Sequence, residues 1–286
     1  MGGLTEAAFP AGQWSEVKLI YLGKYLSAYL AVIMKKFPKS ERYYVDLFAG
    51  PGIDEIRPSQ RQIDGSPLRA MSLKRGNFTK YIFVENKPSY FQALLKRVSA
   101  HNRGTSAEVI SGDCNELVHQ IVQKIPQGSP VFLFVDPRGL DVDWQTIQQF
   151  AAHRHLDMLM TFPYDLGIKR CAYDAKSYNT VDRFYGTSDW REIAKQRKDR
   201  VLTSRQARDA FAELYVSQLR RIGLNFSEST LLRTKIVSGK PLYHMIFASR
   251  YFVALDIWRS ITSRQVGTLD RFIRDHQKQT AIQNSM

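Results

Sequence analysis

Tyr43-Tyr44-Val45-Asp46-Leu47-Phe48-Ala49-Gly50-Pro51-Gly52 is the stretch on which the fold of this chain turns. Apolar and β-prone residues run into an acid and then into a glycine-bounded turn, the pattern of a buried parallel strand whose carboxyl end meets a ligand. Gly50 and Gly52 carry no Cβ to keep a ligand off the backbone, and Asp46 at the strand tip can grip a cation or a hydroxyl. Three later runs repeat the arrangement: Ile82-Phe83-Val84-Glu85, Val109-Ile110-Ser111-Gly112-Asp113 and Val131-Phe132-Leu133-Phe134-Val135-Asp136-Pro137. Each closes on an acid and is followed by a segment of helical period. Such a series predicts an α/β, doubly wound, mostly parallel sheet with a ligand crevice along its strand tips.

The rest of the chain fits around those strands. Residues 1–12 read as a flexible arm, 13–262 as one domain with an insertion over about 164–203, and 263–286 as a polar, basic tail. From Trp14 a stripe of Val17, Tyr21, Leu22, Tyr25, Leu26, Tyr29 and Leu30 predicts a helix laid before the first strand. Lys18 beside that stripe either reaches a ligand carboxylate over the strand tips or is a solvated helix lysine. Ile53 to Asp64 reads as a loop over the crevice, with Arg57 and Arg61 either touching substrate phosphates or simply solvated. Gly65-Ser66-Pro67 marks helix entry, with Ser66 as N-cap. Helices opening at Pro88, after Asn115 and after Asp143 are packing elements, and Asp157 to Pro163 reads as a fifth strand. Between 164 and 203 the period fades and aromatic residues interleave with a basic cluster that includes Arg197 and Lys198. A long helix from Ser204, a hairpin of Thr230–Val237 with Leu242–Ala248, and a helix over 252–261 complete the pass.

Forty-one Lys and Arg against 27 Asp and Glu give a net charge of +14, which favours a polyanionic partner such as nucleic acid over a small neutral one. Two cysteines, Cys114 and Cys171, make neither a disulfide framework nor a four-thiolate zinc site, and the expected compartment is the reducing cytoplasm. No histidine pair has metal-ligand spacing; His153 and His155 read as surface residues, and no metal is expected. Apolar runs of strand length predict no membrane span or signal peptide. Gly-x-Ser-x-Gly and P-loop signatures are absent.

The order of the strand-tip acids resembles the class I S-adenosylmethionine-dependent methyltransferases, and the terminal antiparallel hairpin is that family's distinctive ending. More narrowly, Trp14–Leu22, Tyr44–Gly52, Gly65-Ser66-Pro67-Leu68, Gly112–Glu116, Phe134–Leu140 and Leu242–Arg250 resemble the motifs of the three-Cys-motif partner (TcmP) family over about residues 13–261. The resemblance implies a Rossmann-like, seven-stranded methyltransferase fold and S-adenosyl-L-methionine as cofactor. Asp46, Gly50 and Gly52 would then surround its methionine part, Glu85 its ribose hydroxyls, and Asp113 with Cys114 its adenine, with Lys18, Phe48 and Ser66 also among the cofactor-binding residues. Asp136-Pro137-Arg138-Gly139 resembles the Asp-Pro-Pro-Tyr motif of methyltransferases acting on adenine, with Asp136 and Pro137 holding an acceptor amine. Arg138 and Gly139 depart from that motif, leaving Trp144, Phe162 or Tyr164 to supply a stacking surface and Arg138 to bind phosphate or stack. The expected activity is methyl transfer to RNA or DNA. The alternatives are a non-catalytic adaptor for a radical-SAM-type three-cysteine partner and a small-molecule methyltransferase.

Overall fold

A computed structural model describes residues 7–74, 76–101, 106–233 and 241–263. In chain order its elements are β1 (Phe9–Gly12), α1 (Gln13–Lys36), β2 (Tyr43–Asp46), β3 (Ile53–Arg57), β4 (Arg61–Asp64), α2 (Ser66–Met71), β5 (Lys80–Glu85), α3 (Pro88–His101), β6 (Ser106–Ser111), α4 (Cys114–Gln123), β7 (Val131–Val135), α5 (Trp144–Ala151) and β8 (Leu156–Phe162). A π-helical turn (Tyr164–Ile168), α6 (Lys169–Cys171), a 3-10 turn (Ala175–Ser177), α7 (Tyr178–Tyr185) and α8 (Trp190–Lys198) come next, over the segment expected to be an insertion. They are followed by α9 (Ser204–Arg221), β9 (Phe226–Arg233), β10 (Pro241–Ser249) and a helical run over 252–263.

The motif strand β2 is central in a seven-stranded sheet of order β6-β5-β2-β7-β8-β10-β9. Five strands are parallel, and β10 is antiparallel to both β8 and β9. This is the doubly wound sheet with a terminal antiparallel hairpin expected of the methyltransferase-like fold. The turn joining β9 to β10, residues 1–6 and the tail beyond 263 lie outside the described residues.

Side chains alternate across the sheet with the strand period of two. Phe132 and Phe134 of β7 join Tyr44 and α1 on one face, while Val131, Leu133 and Val135 face α4, α5 and α9 on the other. On the first face Tyr25, Tyr29, Tyr44, Phe78, Phe132 and Phe247 pack ring to ring, closed by Trp258, whose ring stacks on Phe247 at 5.8 Å. Two oxygens of the buried Asp157 accept hydrogen bonds from the Tyr25 and Ser249 hydroxyls at 2.7 and 2.6 Å. α1 is long and apolar enough to cross a membrane by length and composition, but it buries Val17, Leu22, Tyr25, Leu26 and Leu30 against this sheet.

Four local expectations are corrected. Residues 53–64 are not a loop but the β3–β4 hairpin, and Phe9–Gly12, expected within a flexible arm, runs parallel to β3 as the third strand of that small sheet. Gly65, not Ser66, is the N-cap of α2. His153 is fully buried in the turn after α5, where burial lowers its pKa, and so is no surface residue.

Candidate functional site

The tips of β2, β5, β7 and β8 open on a cleft of about 690 Å³ whose walls also include β1 and the first turns of α1. A second cavity of about 360 Å³ lies over β6 and the start of α4. Phe48, Glu85, Asn86 and Asp141 line both, so the two form one continuous trough across the strand tips.

At the centre of the larger cleft the Lys18 ammonium is ion-paired with the Asp136 carboxylate, the two side chains being 12% and 23% exposed. Lys18 is thus neither solvated nor free of a protein partner. Gly50 lines the cleft with φ +64°, and nothing lies within 4 Å of where a side chain would begin, so its backbone faces open space. Gly52 plays a different part: its carbonyl accepts from the Gly65 amide at 2.9 Å and its Cα packs by Leu94 and Leu68, away from the lining.

Asp46 does not line the cleft either. It is wholly buried beneath it, accepting from the Phe48 amide at 3.2 Å and the Tyr44 hydroxyl at 3.3 Å, with the Ser66 hydroxyl also bonded to it. Burial pushes its pKa up to about 7 against those hydrogen bonds. Asp46 therefore fixes Phe48 and Ser66, which do line the cleft. The acid that faces the cleft at this end is Asp54 of β3, raised to about 6 by burial while Lys18 pulls it down.

Glu85 is 8% exposed and spans both cavities, and its Oε1 accepts from the Lys87 amide at 2.8 Å. Asp113 caps α4, accepting from the Asn115 amide at 2.7 Å, and also lines the smaller cavity beside Cys114. Burial pushes the Cys114 thiol up to about 12, so it stays protonated near neutral pH and is no nucleophile. Asn115 donates to the Asp141 carbonyl at 2.8 Å and accepts from the Asp143 amide and the Thr146 hydroxyl, which anchors the loop after Asp136.

Arg138 stacks, but on protein: its guanidinium lies 4.4 Å from the centre of the Phe9 ring and 5.4 Å from that of Tyr90. Phe162 and Tyr164 line the cleft. Trp144 does not; it is a core side chain against Tyr215 at 5.3 Å and against Gly186, where any Cβ would strike its ring. Arg57 and Arg61 are also outside the cleft. Arg57 is exposed at the end of β3, and Arg61 pairs with Glu16 at 2.5 Å on the outer side of the hairpin. Arg197 and Lys198 line a neighbouring basic cavity. Beyond Asp54, Asp141 and Asn115, sequence reasoning missed Arg208 and His244 in the cleft wall. His244 bonds to Ser229 through Nδ1 at 2.7 Å and lies 3.3 Å from Asp209 through Nε2.

No family model and no curated protein matches this chain, so the resemblance to the TcmP family has no counterpart there. Solved structures do. A Legionella pneumophila protein, LPL1258, is similar at 12% identity over 86% of this chain and 93% of its own, with a TM-score of 0.49. Trm1 from Pyrococcus horikoshii, in complex with S-adenosyl-L-methionine, matches at 9% identity over 84% of this chain and 57% of its own, TM-score 0.44. An O-methyltransferase from Bacillus cereus, in complex with SAH, matches at 12% identity over 80% of each chain, TM-score 0.38. At these identities the likeness is one of fold.

Proposed function

We propose that the chain binds S-adenosylmethionine in the continuous trough and transfers its methyl group to an acceptor amine on a nucleic acid. The observation that carries this reading is that Glu85, a nearly buried acid at the tip of β5 beside the motif strand, belongs to both cavities. A carboxylate there offers paired acceptors to two ribose hydroxyls, with room for a base over Asp113 and Cys114 on one side and an amino-acid tail over Gly50 and Asp54 on the other. The residues fit such a ligand, since the Gly50 backbone is open, Asp54 offers an anion to an amino group, and Ser66 and Phe48 are held in place by Asp46. When bound, the cofactor supplies an electrophilic methyl on a sulfonium.

Asp136 and the Pro137 carbonyl sit at the β7 tip, where they hold an acceptor amine with its lone pair aimed into the cleft. Positioning of this kind supplies much of the rate in such a transfer. A carboxylate has lone pairs enough to accept from Lys18 and from an amine together, so the Lys18–Asp136 pair orients the acid without using it up. Phe162 and Tyr164 give the acceptor an aromatic wall. The charge of +14 favours nucleic acid over a small-molecule acceptor.

A second reading, a non-catalytic adaptor serving a three-cysteine radical-SAM-type protein, is favoured by one observation. Arg138, where an amine methyltransferase has proline, is taken up by Phe9 and Tyr90. One paired experiment separates the two. Calorimetric titration should show S-adenosylmethionine binding that Glu85→Ala weakens by about 1.5–3 kcal/mol, roughly ten- to hundredfold. Asp136→Ala should keep that affinity and lose most single-turnover transfer to total RNA or DNA. No cofactor binding by folded wild type overturns the reading; binding with no transfer to either nucleic acid selects the adaptor.

A further inference from the structure

Next to the cleft, and sharing Tyr164, Asp165 and Arg208 with it, is a cavity of about 570 Å³ lined by Lys169, Arg197, Lys198, Arg200, Arg205 and Arg208. These cations come from α6, the end of α8, the loop after it, and α9. The dipole of α8 accounts for Arg197 and Lys198 at its carboxyl end. It does not account for the other cations, which arrive from separate elements and face the same space.

Acids do not balance them. Asp165 is the acid in the lining, 3.8 Å from Lys169, and Asp209 behind it pairs with Arg205 and Arg208 at 3.9 and 3.3 Å. Arg197 is braced by the Ser204 hydroxyl at 2.7 Å, and among the described residues Lys198 and Arg200 form no ion pair. Arg200 also holds φ +61°, a left-handed position after a helix that glycine ordinarily fills. Arg208 is 13% exposed on its side chain and stands in the wall between the two spaces, so its charge faces both.

A single small anion is held by donors converging on a point. Here six cations from separate elements, together with the Tyr164 and Tyr173 side chains, line a space of about 570 Å³, far more than one phosphate fills, and cations with aromatic rings on one wall suit a charged backbone carrying flat bases. We propose that this cavity is a phosphodiester subsite through which a single-stranded segment passes, its unpaired nucleotide turning past Tyr164 and Arg208 into the cleft while the adjoining phosphate rests on Arg197, Lys198 and Arg200. This rests on the reading of the cleft as a methyl-transfer site for nucleic acid and adds the strand state of the substrate and its path.

The test is fluorescence anisotropy with labelled single-stranded and duplex 15-mers of RNA and DNA over a salt series, beside calorimetry with S-adenosylmethionine. The variants are Lys198→Glu/Arg200→Glu and, as a control of equal charge change around the far end of α1, Lys35→Glu/Lys39→Glu. Single strands should bind at least tenfold more tightly than duplexes. The first variant should bind them at least tenfold more weakly than wild type, with a salt slope shallower by about 0.7 per phosphate no longer neutralised and cofactor affinity unchanged, while the control keeps wild-type affinity for the strand. Equal weakening in both variants, or equal binding of duplex and single strand, overturns the subsite. Cofactor binding by a wild type that binds no oligonucleotide also overturns it and spares the cofactor reading. Strand binding abolished only in the first variant, with no cofactor binding by wild type, upholds the subsite and removes the methyl-transfer reading.

Discussion

Asp46 illustrates how depth decides what a residue does. Burial beneath the cleft raises its pKa to about 7, whereas an unfolded aspartate titrates at about 3.9. Below about pH 4 both states are protonated and the difference contributes nothing unfavourable. As pH rises, the unfolded chain ionises first, so the native state loses stability until Asp46 itself ionises near 7. Asp46→Asn should therefore have its most favourable melting temperature relative to wild type at pH 8, and that advantage should shrink on going to pH 5; equal differences at both values would remove the buried-carboxyl account. The strand-tip acids were legible because each apolar run ends at the same edge of the sheet. Which of them faces the ligand space was not. Asp46, Glu85, Asp113 and Asp136 look alike in sequence, yet one is submerged, one spans two cavities, one caps a helix and one is paired with Lys18. Asp54 went unseen because it lies in a segment too polar to read as a strand.

At the scale of elements, the parallel sheet, its crossover helices and the final hairpin were readable from period and order. The β3–β4 hairpin was not: Ile53-Asp54-Glu55-Ile56-Arg57 offers one fully buried side chain, Ile56, so hydrophobic alternation is nearly silent. β1 was hidden for the same reason, since pairing through the backbone leaves no pattern in four residues of Phe-Pro-Ala-Gly. Its anchors are side-chain contacts from distant elements. Arg138 lies over Phe9, and Arg97 donates to the Ala7 and Pro51 carbonyls at 2.7 and 2.6 Å. Arg138→Met keeps bulk and removes the cation–π contact, worth about 0.5–2 kcal/mol. Hydrogen exchange at those amides of β1 that bond to β3 should quicken about two- to thirtyfold, while exchange in β7 stays as it was. Trp144 was misassigned because a large aromatic beside a strand tip packs as readily into the core as into a cleft. Trp258 shows the energetic side of such packing. It is fully buried, stacks on Phe247 and donates to Thr230 at 3.0 Å. Trp258→Ala should cost about 3–5 kcal/mol in denaturant unfolding; a loss under about 1 kcal/mol would mean that the 252–263 helix does not close this layer.

Across the whole molecule, ligand space and charge are arranged side by side: the trough runs over the strand tips, and the basic cavity opens from one end of it. A ligand held by so many elements stabilises all of them together. At a hundredfold excess over its Kd, S-adenosylmethionine should add about 2.7 kcal/mol. For a chain of this length that raises Tm by roughly 4–5 °C, and Glu85→Ala should flatten the shift at the same concentration. The aromatic and basic content of residues 164–203 was legible in the sequence, but the place of this segment beside the cleft depends on how α9 packs and on the π-helical turn after β8, neither of which has a local signature. One wall of the trough is unlike the rest. β1 touches the remainder of its small sheet by a single ladder to β3, so it can peel away while every strand of the main sheet stays paired. On the proposed reading, a ligand in the trough would leave most readily when these four residues, and the Arg138 and Arg97 contacts that hold them, let go. If the proposed methyl transfer is right and product release is the slow step, pre-steady-state measurements should show a fast first round followed by a slower steady rate, and loosening β1 should quicken turnover while weakening retention.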